Sequence, residues 1–176
     1  YQCMDDASIS EIISNSADSA MQYILDDVIT WTDNNNMKAN PVKTLEMVIS
    51  FKENWVPPPP LYMNGIEIQR VNNTKLLGLI ISDDLSWSKH IDSICKKANK
   101  RTYYLILFRR SGLGKDELLT YYKHIIRPLL EYCCVVWHTS ITKGQTEQIE
   151  HIQERVLRII GLPNDNLESL SVRRER

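Results

Sequence analysis

The 176-residue chain predicts an α+β fold: an incomplete antiparallel sheet with one packed helix, followed by a lobe of three helices. Three observations carry that expectation. Around Ser86 the apolar period changes from about two to about 3.6, the spacings of a strand and of a helix. Asn64-Gly65 stands between the triplets Leu61-Tyr62-Met63 and Ile66-Glu67-Ile68, and a tight I′ hairpin turn needs positive φ at both of its central residues. Gly161 followed by Pro163 closes the last helical stripe, since Gly accepts the left-handed cap and Pro cannot continue a helix.

Taken in order, residues 7–13 read as a short strand leaving an Asp5-Asp6 turn. Residues 17–35 read as an amphipathic helix, with Ala17, Ala20, Met21, Ile24, Leu25, Val28 and Ile29 on one stripe, Ser16 as N-cap and Asn34-Asn35-Asn36 as the stop. Residues 44–51 are strand-like. The four prolines at 57–60 cannot donate to a sheet or sit inside a helix, so they form an exposed polyproline spacer, with an SH3-type ligand as the rival reading. Residues 75–82 read as a buried strand. Helices follow at 87–110 (Trp87, Ile91, Ile94, Cys95 and Ala98 inward), at 115–139 with Pro128 kinking or breaking it, and at 143–160 (Ile149, Ile152, Val156 and Ile159 inward). The domain reading is 1–85, 86–163 and a flexible tail over 164–176, which holds few apolar residues.

Composition is ordinary for a globular chain, 43% hydrophobic and 24% charged. No apolar run approaches the roughly 20 residues of a membrane helix, and no secretory signal pattern is present. Beginning at Tyr1 rather than Met reads as a gene fragment or a trimmed domain. Cys3, Cys95, Cys133 and Cys134 form neither a disulfide framework nor a CxxC pair, so they read as reduced, intracellular and mostly core. Localisation is accordingly intracellular, nuclear or cytoplasmic, and not secreted. Charge is strongly asymmetric: residues 1–53 hold nine acidic and three basic side chains, whereas 86–128 hold three acidic and ten basic ones. That pattern suits a protein gathering cations in one place and a polyanion in the other.

Two groups of residues carry candidate chemistry. Adjacent carboxylates at Asp5 and Asp6 are what a magnesium site for phosphoryl transfer uses, because hard cations take oxygen ligands; the plain alternative is a pair capping a turn. Such sites need a further carboxylate from a separate strand. Lys89, Lys96, Lys97, Lys100 and Arg101 fall on one side of the 87–110 helix. The pairs Lys96–Lys100 and Lys97–Arg101 repel at i,i+4, by roughly 0.2–0.5 kcal/mol each. The buried stripe offsets that repulsion, or an anionic partner does. Tyr103, Tyr104, Arg109 and Arg110 add the aromatic and guanidinium groups that suit bases and backbone. His90, His124 and Cys133-Cys134 beside His138 lack the ligand spacing of a zinc site. Trp87, Tyr132 and Trp137 read as core of the helical lobe.

Several pieces in series resemble the reverse transcriptase of non-LTR (LINE-type) retrotransposons, over nearly all of residues 1–163. Cys3-Met4-Asp5-Asp6 stands where that family has an aromatic-x-Asp-Asp turn, with Cys3 replacing the aromatic residue. Asn40-Pro41-Val42-Lys43-Thr44 looks like the run after the palm helix. Lys75-Leu76-Leu77-Gly78, Asp84-Leu85-Ser86-Trp87 and His90-Ile91 follow in the family's order. So do Ile126-Arg127-Pro128-Leu129-Leu130-Glu131-Tyr132, Val136-Trp137 and Ile149-Glu150 with Gln153.

The resemblance implies RNA-templated DNA synthesis with Mg2+, held in part by Asp5 and Asp6, and Lys43 beside the leaving pyrophosphate. It implies a palm-like region over 1–85 and a thumb-like helical domain over 86–163 that grips an RNA template and DNA primer duplex. The strand carrying the first metal-binding Asp and the fingers have no counterpart here, so the chain alone is expected to be inactive. Residues 85–112 also look similar to the N-terminal region of an alkylation-repair (AlkB-like) homologue acting on tRNA, without its iron-binding residues. That gives the alternative expectation of a basic helical nucleic-acid-binding module with no polymerase activity.

Overall fold

A computed structural model describes residues 7–14, 19–52, 54–163 and 167–174. The chain is a mixed α+β protein with small two-stranded sheets, and it divides into two compact units, Tyr1–Thr74 and Lys75–Arg176.

In the first unit, helix α1 spans Met21–Asn34. The expected cap Ser16 lies outside the described residues. The helix instead begins after Ala20, whose N–H donates to the Glu11 carboxylate (2.8 Å), while Ser19 Oγ donates to its other oxygen (2.9 Å). An acidic group at this end meets unsatisfied N–H groups and the positive end of the helix dipole. Residues 7–13 form no strand, because their alternation finds no paired ladder, and Ile12 is fully exposed. Of the strand expected over 44–51 only β1 (Leu45–Glu46) forms, and Ile49 and Phe51 face solvent.

The hairpin at Asn64-Gly65 is present. Strands β2 (Tyr62–Met63) and β3 (Ile66–Glu67) pair antiparallel, with φ of +52° and +77° at the two turn residues. Next, β4 (Gln69–Arg70) runs parallel to β1 in a register that sets Glu46 opposite Arg70. Their side chains therefore meet in a bidentate pair, Nε to Oε2 at 2.9 Å and Nη2 to Oε1 at 3.0 Å. Arg70 also donates to the Pro58 and Pro59 carbonyls (2.9 and 3.3 Å). The polyproline run is thus only partly the exposed spacer expected: Pro58 is buried, whereas its neighbours Pro57, Pro59 and Pro60 are exposed. The small core is Leu25, Met63 and Ile68, with Ile29, Ala39 and Leu61 against it.

Residues 75–82 are a hairpin rather than one strand. Strand β5 (Asn73–Leu76) pairs with β6 (Leu79–Ser82) around Leu77 and Gly78, both at positive φ (+47° and +89°). The continuous apolar run hides the turn, since only Gly78 marks it. In the second unit, helix α2 (Ser88–Arg110) buries His90, Ile91, Ile94, Cys95, Ala98, Thr102 and Leu105 along one stripe. The second expected helix is interrupted as Pro128 requires. α3 (Lys115–Tyr121) runs into a wide π turn over Tyr122–Ile126, then α4 (Arg127–Glu131). The proline has no N–H and its ring clashes with the carbonyl four residues back, and widening the preceding turn relieves both. The helix ends where Cys133 turns left-handed (φ +49°), before α5 (Cys134–Trp137) and a 3₁₀ turn over His138–Ser140.

Helix α6 (Lys143–Ile160) matches its expected bounds. Thr142 and Gln145 form a capping box at its start, and Gly161 at φ +83° ends it. The expected flexible tail contains α7 (Leu170–Arg174), with Leu170 fully buried. Its first N–H groups are taken by a distant side chain: Glu150 accepts from Leu170 (3.1 Å) and Ser171 (2.6 Å). Arg173 donates to Glu131 (2.8 Å), and the Arg174 guanidinium lies 5.6 Å from the centre of the Trp137 ring. Polarity of the tail concealed these clamps. The core of this unit runs from Leu79 through α2, the α3–α4 segment and α6, with Trp137 and Tyr122 among its largest members.

Candidate nucleic-acid interface

Helix α2 is amphipathic in an unusual sense: its buried stripe is apolar and its opposite side is a row of cations. Lys89, Lys96, Lys97, Lys100 and Arg101 are all exposed, and none replaces a core residue. They line two shallow concavities that share Lys97. The upstream one is bordered by Lys89, Asp92, Ser93, Lys96 and Lys97. The downstream one, about 580 Å³, is bordered by Lys97, Lys100, Arg101, Tyr104 and Leu129. Sequence reasoning had no signal for Leu129; α4 brings it there after the π turn. Asp92 also escaped notice, and it accepts from Gln148 Nε2 (3.4 Å), so the upstream end is electrostatically mixed.

Arg109 and Arg110 lie in the last turn of α2, where cations complement the helix dipole. Arg109 Nη1 donates to the Ile159 carbonyl near the end of α6, while Arg110 is exposed. Lys43 belongs to the first unit and is exposed, in a turn organised by Asn40, whose carbonyl accepts from the N–H of Lys43 (3.1 Å) and of Thr44 (3.0 Å). Asp5 and Asp6 lie outside the described residues. Among the described residues no three His, Cys, Asp or Glu side chains gather as a metal-ligand set.

Two titratable groups behind the cationic row, His90 and Cys95, are held in their neutral forms. His90 is buried between the rings of Trp87 and Trp137, each 5.8 Å away, and its Nδ1 accepts from the Ile80 N–H (3.3 Å). Burial, reinforced by Lys97, holds the imidazole below its ordinary pKa. Burial, with Asp92 adding to it, pushes the Cys95 thiol up to about 11, which makes it a core group rather than a nucleophile. Cys133 and Cys134 are half-buried. Trp137 is core as expected, and its Nε1 donates to the Tyr132 carbonyl (3.0 Å). Tyr132, by contrast, is half-exposed and lies over the β5–β6 turn. Its hydroxyl donates to the Leu77 carbonyl (3.0 Å), and a Cβ on Gly78 would stand 3.0 Å from its ring. A sequence cannot reveal a glycine kept open for a residue 54 positions away.

Fold and surface together define a mixed α+β chain that displays a row of cations along one exposed helix. The chain is similar to RNA-directed DNA polymerases from transposable elements, and the resemblance to non-LTR retrotransposon reverse transcriptases holds over most of its length. It is 29% identical over 132 residues to a probable RNA-directed DNA polymerase from transposon X-element of Drosophila melanogaster, covering 74% of this chain and 14% of the relative. A probable RNA-directed DNA polymerase from transposon BS of the same organism is 23% identical over 148 residues, 83% of this chain and 16% of the relative. The RNA-directed DNA polymerase from mobile element jockey, also from Drosophila melanogaster, is 26% identical over 151 residues, with 84% and 16% covered. The chain thus spans about one-sixth of the length of these relatives. No family model and no solved structure matches it. Among the described residues no helix is long and apolar enough to cross a membrane.

Proposed function

We propose that this chain is a stretch of a non-LTR retrotransposon reverse transcriptase, running from the end of the palm through the thumb. Its own task in that enzyme is to hold the RNA template and DNA primer. The observation that carries this reading is the exposed row Lys89, Lys96, Lys97, Lys100 and Arg101 on α2, in a chain whose relatives are named RNA-directed DNA polymerases. Cations on an exposed helix face contact phosphates without reading sequence, which is what a polymerase moving along its template needs. The relatives favour this over a free-standing basic module of AlkB-like kinship.

In this reading residues 1–85 are palm and 86–163 thumb. Asp5 and Asp6 hold Mg2+, which neutralises phosphate charge when bound, and Lys43 steadies the leaving pyrophosphate as a mobile point charge. The chain acts inside the cell, in the nucleus or cytoplasm. Alone it does not synthesise DNA, because the remaining metal ligand and the fingers belong to other parts of the enzyme.

The test joins two measurements on the full chain. Primer extension is expected to give no product. Binding to a template–primer duplex is expected to weaken steeply with salt, log affinity falling by about 0.9 per phosphate neutralised for each unit of log salt. Replacing Lys96, Lys97, Lys100 and Arg101 by Ala should flatten that slope by about 3 to 4. A wild-type chain that extends primers, or a quadruple variant that binds as steeply as wild type, overturns the reading.

A further inference from the structure

The downstream half of the α2 face has a floor that a duplex grip does not need. Its lining joins Lys97, Lys100 and Arg101 to Tyr104 and Leu129. Tyr104 is 43% exposed. The Tyr103 ring packs against it in a T-shaped contact, with centroids 6.0 Å apart and planes at 66°. Arg101 comes one turn after Lys97 and Tyr104 one turn after Lys100, each step rising about 6 Å along the helix. The ring therefore follows the cations along one track.

Charge alone does not separate a duplex from a single strand, because both present phosphates. Base faces do. In a duplex they are stacked on one another, and a protein meets only phosphates, sugars and groove edges. An unpaired base offers its flat face, and an exposed aromatic ring set among cations is how proteins take such bases without regard to sequence.

We propose that the α2 groove receives an unpaired strand of nucleic acid, with one base stacked on Tyr104 and the flanking phosphates held by Lys97, Lys100 and Arg101. This rests on the reading of α2 as a nucleic-acid contact and adds an unpaired strand, beside the duplex, to what the same cations hold. The invoked contacts, phosphate and base face, are common to DNA and RNA. Arg101 also flanks the site where a guanidinium can lie over the far side of the base.

The test uses the full chain and three probes: an oligothymidylate, an abasic strand of equal length and charge, and a blunt duplex. Tyr104→Ala should weaken oligothymidylate binding about 5- to 150-fold and leave its salt slope, abasic binding and duplex binding unchanged. Tyr104→Phe keeps the ring and should restore affinity. Lys100→Ala should weaken all three probes and lower the single-strand salt slope by about 0.7. Tyr104 lies at the surface, so folding of its variants is checked by circular dichroism. Equal loss for the thymidylate and abasic strands, or no loss for either, overturns the stacking assignment while leaving the nucleic-acid reading intact. Failure of the wild-type chain to bind any of the probes overturns both.

Discussion

The two units hold themselves together by different means. The second unit buries a continuous apolar core threaded through α2, the α3–α4 segment and α6, with Trp137, Tyr122, Leu105 and Ile149 fully buried. The first, among its described residues, has a core of Leu25, Met63 and Ile68 and two-residue strands, and leaves Tyr23, Val42, Phe51 and Val56 largely exposed. Polar clamps carry more of its order: Arg70 to Glu46 and two proline carbonyls, and Gln22, which accepts from the Tyr62 N–H and donates to the Tyr62 carbonyl, each at 2.9 Å. The lesson concerns the candidate interface. A row of mutually repelling cations is tolerable on α2 because seven buried residues on its other side hold the helix in place. Burying one large apolar side chain contributes about 1.5–3 kcal/mol, well above the few tenths of a kcal/mol lost to each like-charge pair.

Substitutions test this contrast directly. The largest effect is expected from Trp137→Ala, about 3–5 kcal/mol by chemical denaturation, because it removes the biggest buried side chain and its hydrogen bond to Tyr132. Leu25→Ala in the first unit should cost about 2 kcal/mol, near the low end for such truncations, since the small core around it can collapse. If Leu25→Ala proves the costlier of the two, the contrast in core strength is wrong. Gly78→Ala comes next at about 1–2 kcal/mol, the left-handed penalty for a residue with a Cβ. Displacement of Tyr132 should appear with it as a change in tyrosine fluorescence. Thr142→Ala should cost about 1 kcal/mol through loss of the α6 capping box, with faster amide exchange confined to the first turn of that helix.

The smallest difference at neutral pH belongs to His90. Its folded-state pKa lies below the unfolded value of 6.5, so in acid the unfolded chain binds the proton more readily. The stability it contributes is fully present above about pH 6.5 and is lost as the pH falls below that value toward the folded pKa. Denaturation midpoints measured on either side of pH 6.5 should diverge for wild type and converge for His90→Gln. An unchanged acid dependence in that variant would place the sensitivity elsewhere.

Most of the helical half was legible in advance because helices are local. The stripe on α2, the bounds of α6 and the Gly161 stop follow from spacing that a linear reading can register. The Asn64-Gly65 hairpin was equally plain, since its turn chemistry is local too. Strands were not. The expected strand over 44–51 shrank to Leu45–Glu46 because a strand exists only where another segment pairs with it, and here the partner is the distant Gln69–Arg70. Residues 75–82 hid a turn inside an apolar run for the same reason. The cationic row was named residue by residue from the sequence, but its two concavities and the place of Leu129 in the second were not.

Linear pattern alone was enough for the stripe of α2, the bounds of α6, the charge asymmetry and the similarity to transposon polymerases, because each is written in residues close together or in fixed order along the chain. Only the tertiary structure decided that Glu150 would cap a helix 20 residues away, that Gly78 would stay open for Tyr132, and that Tyr104 would share a groove with Leu129. Those contacts depend on chain reversal and packing. Their energies come from side chains meeting across space, for which a linear pattern carries no period and no spacing.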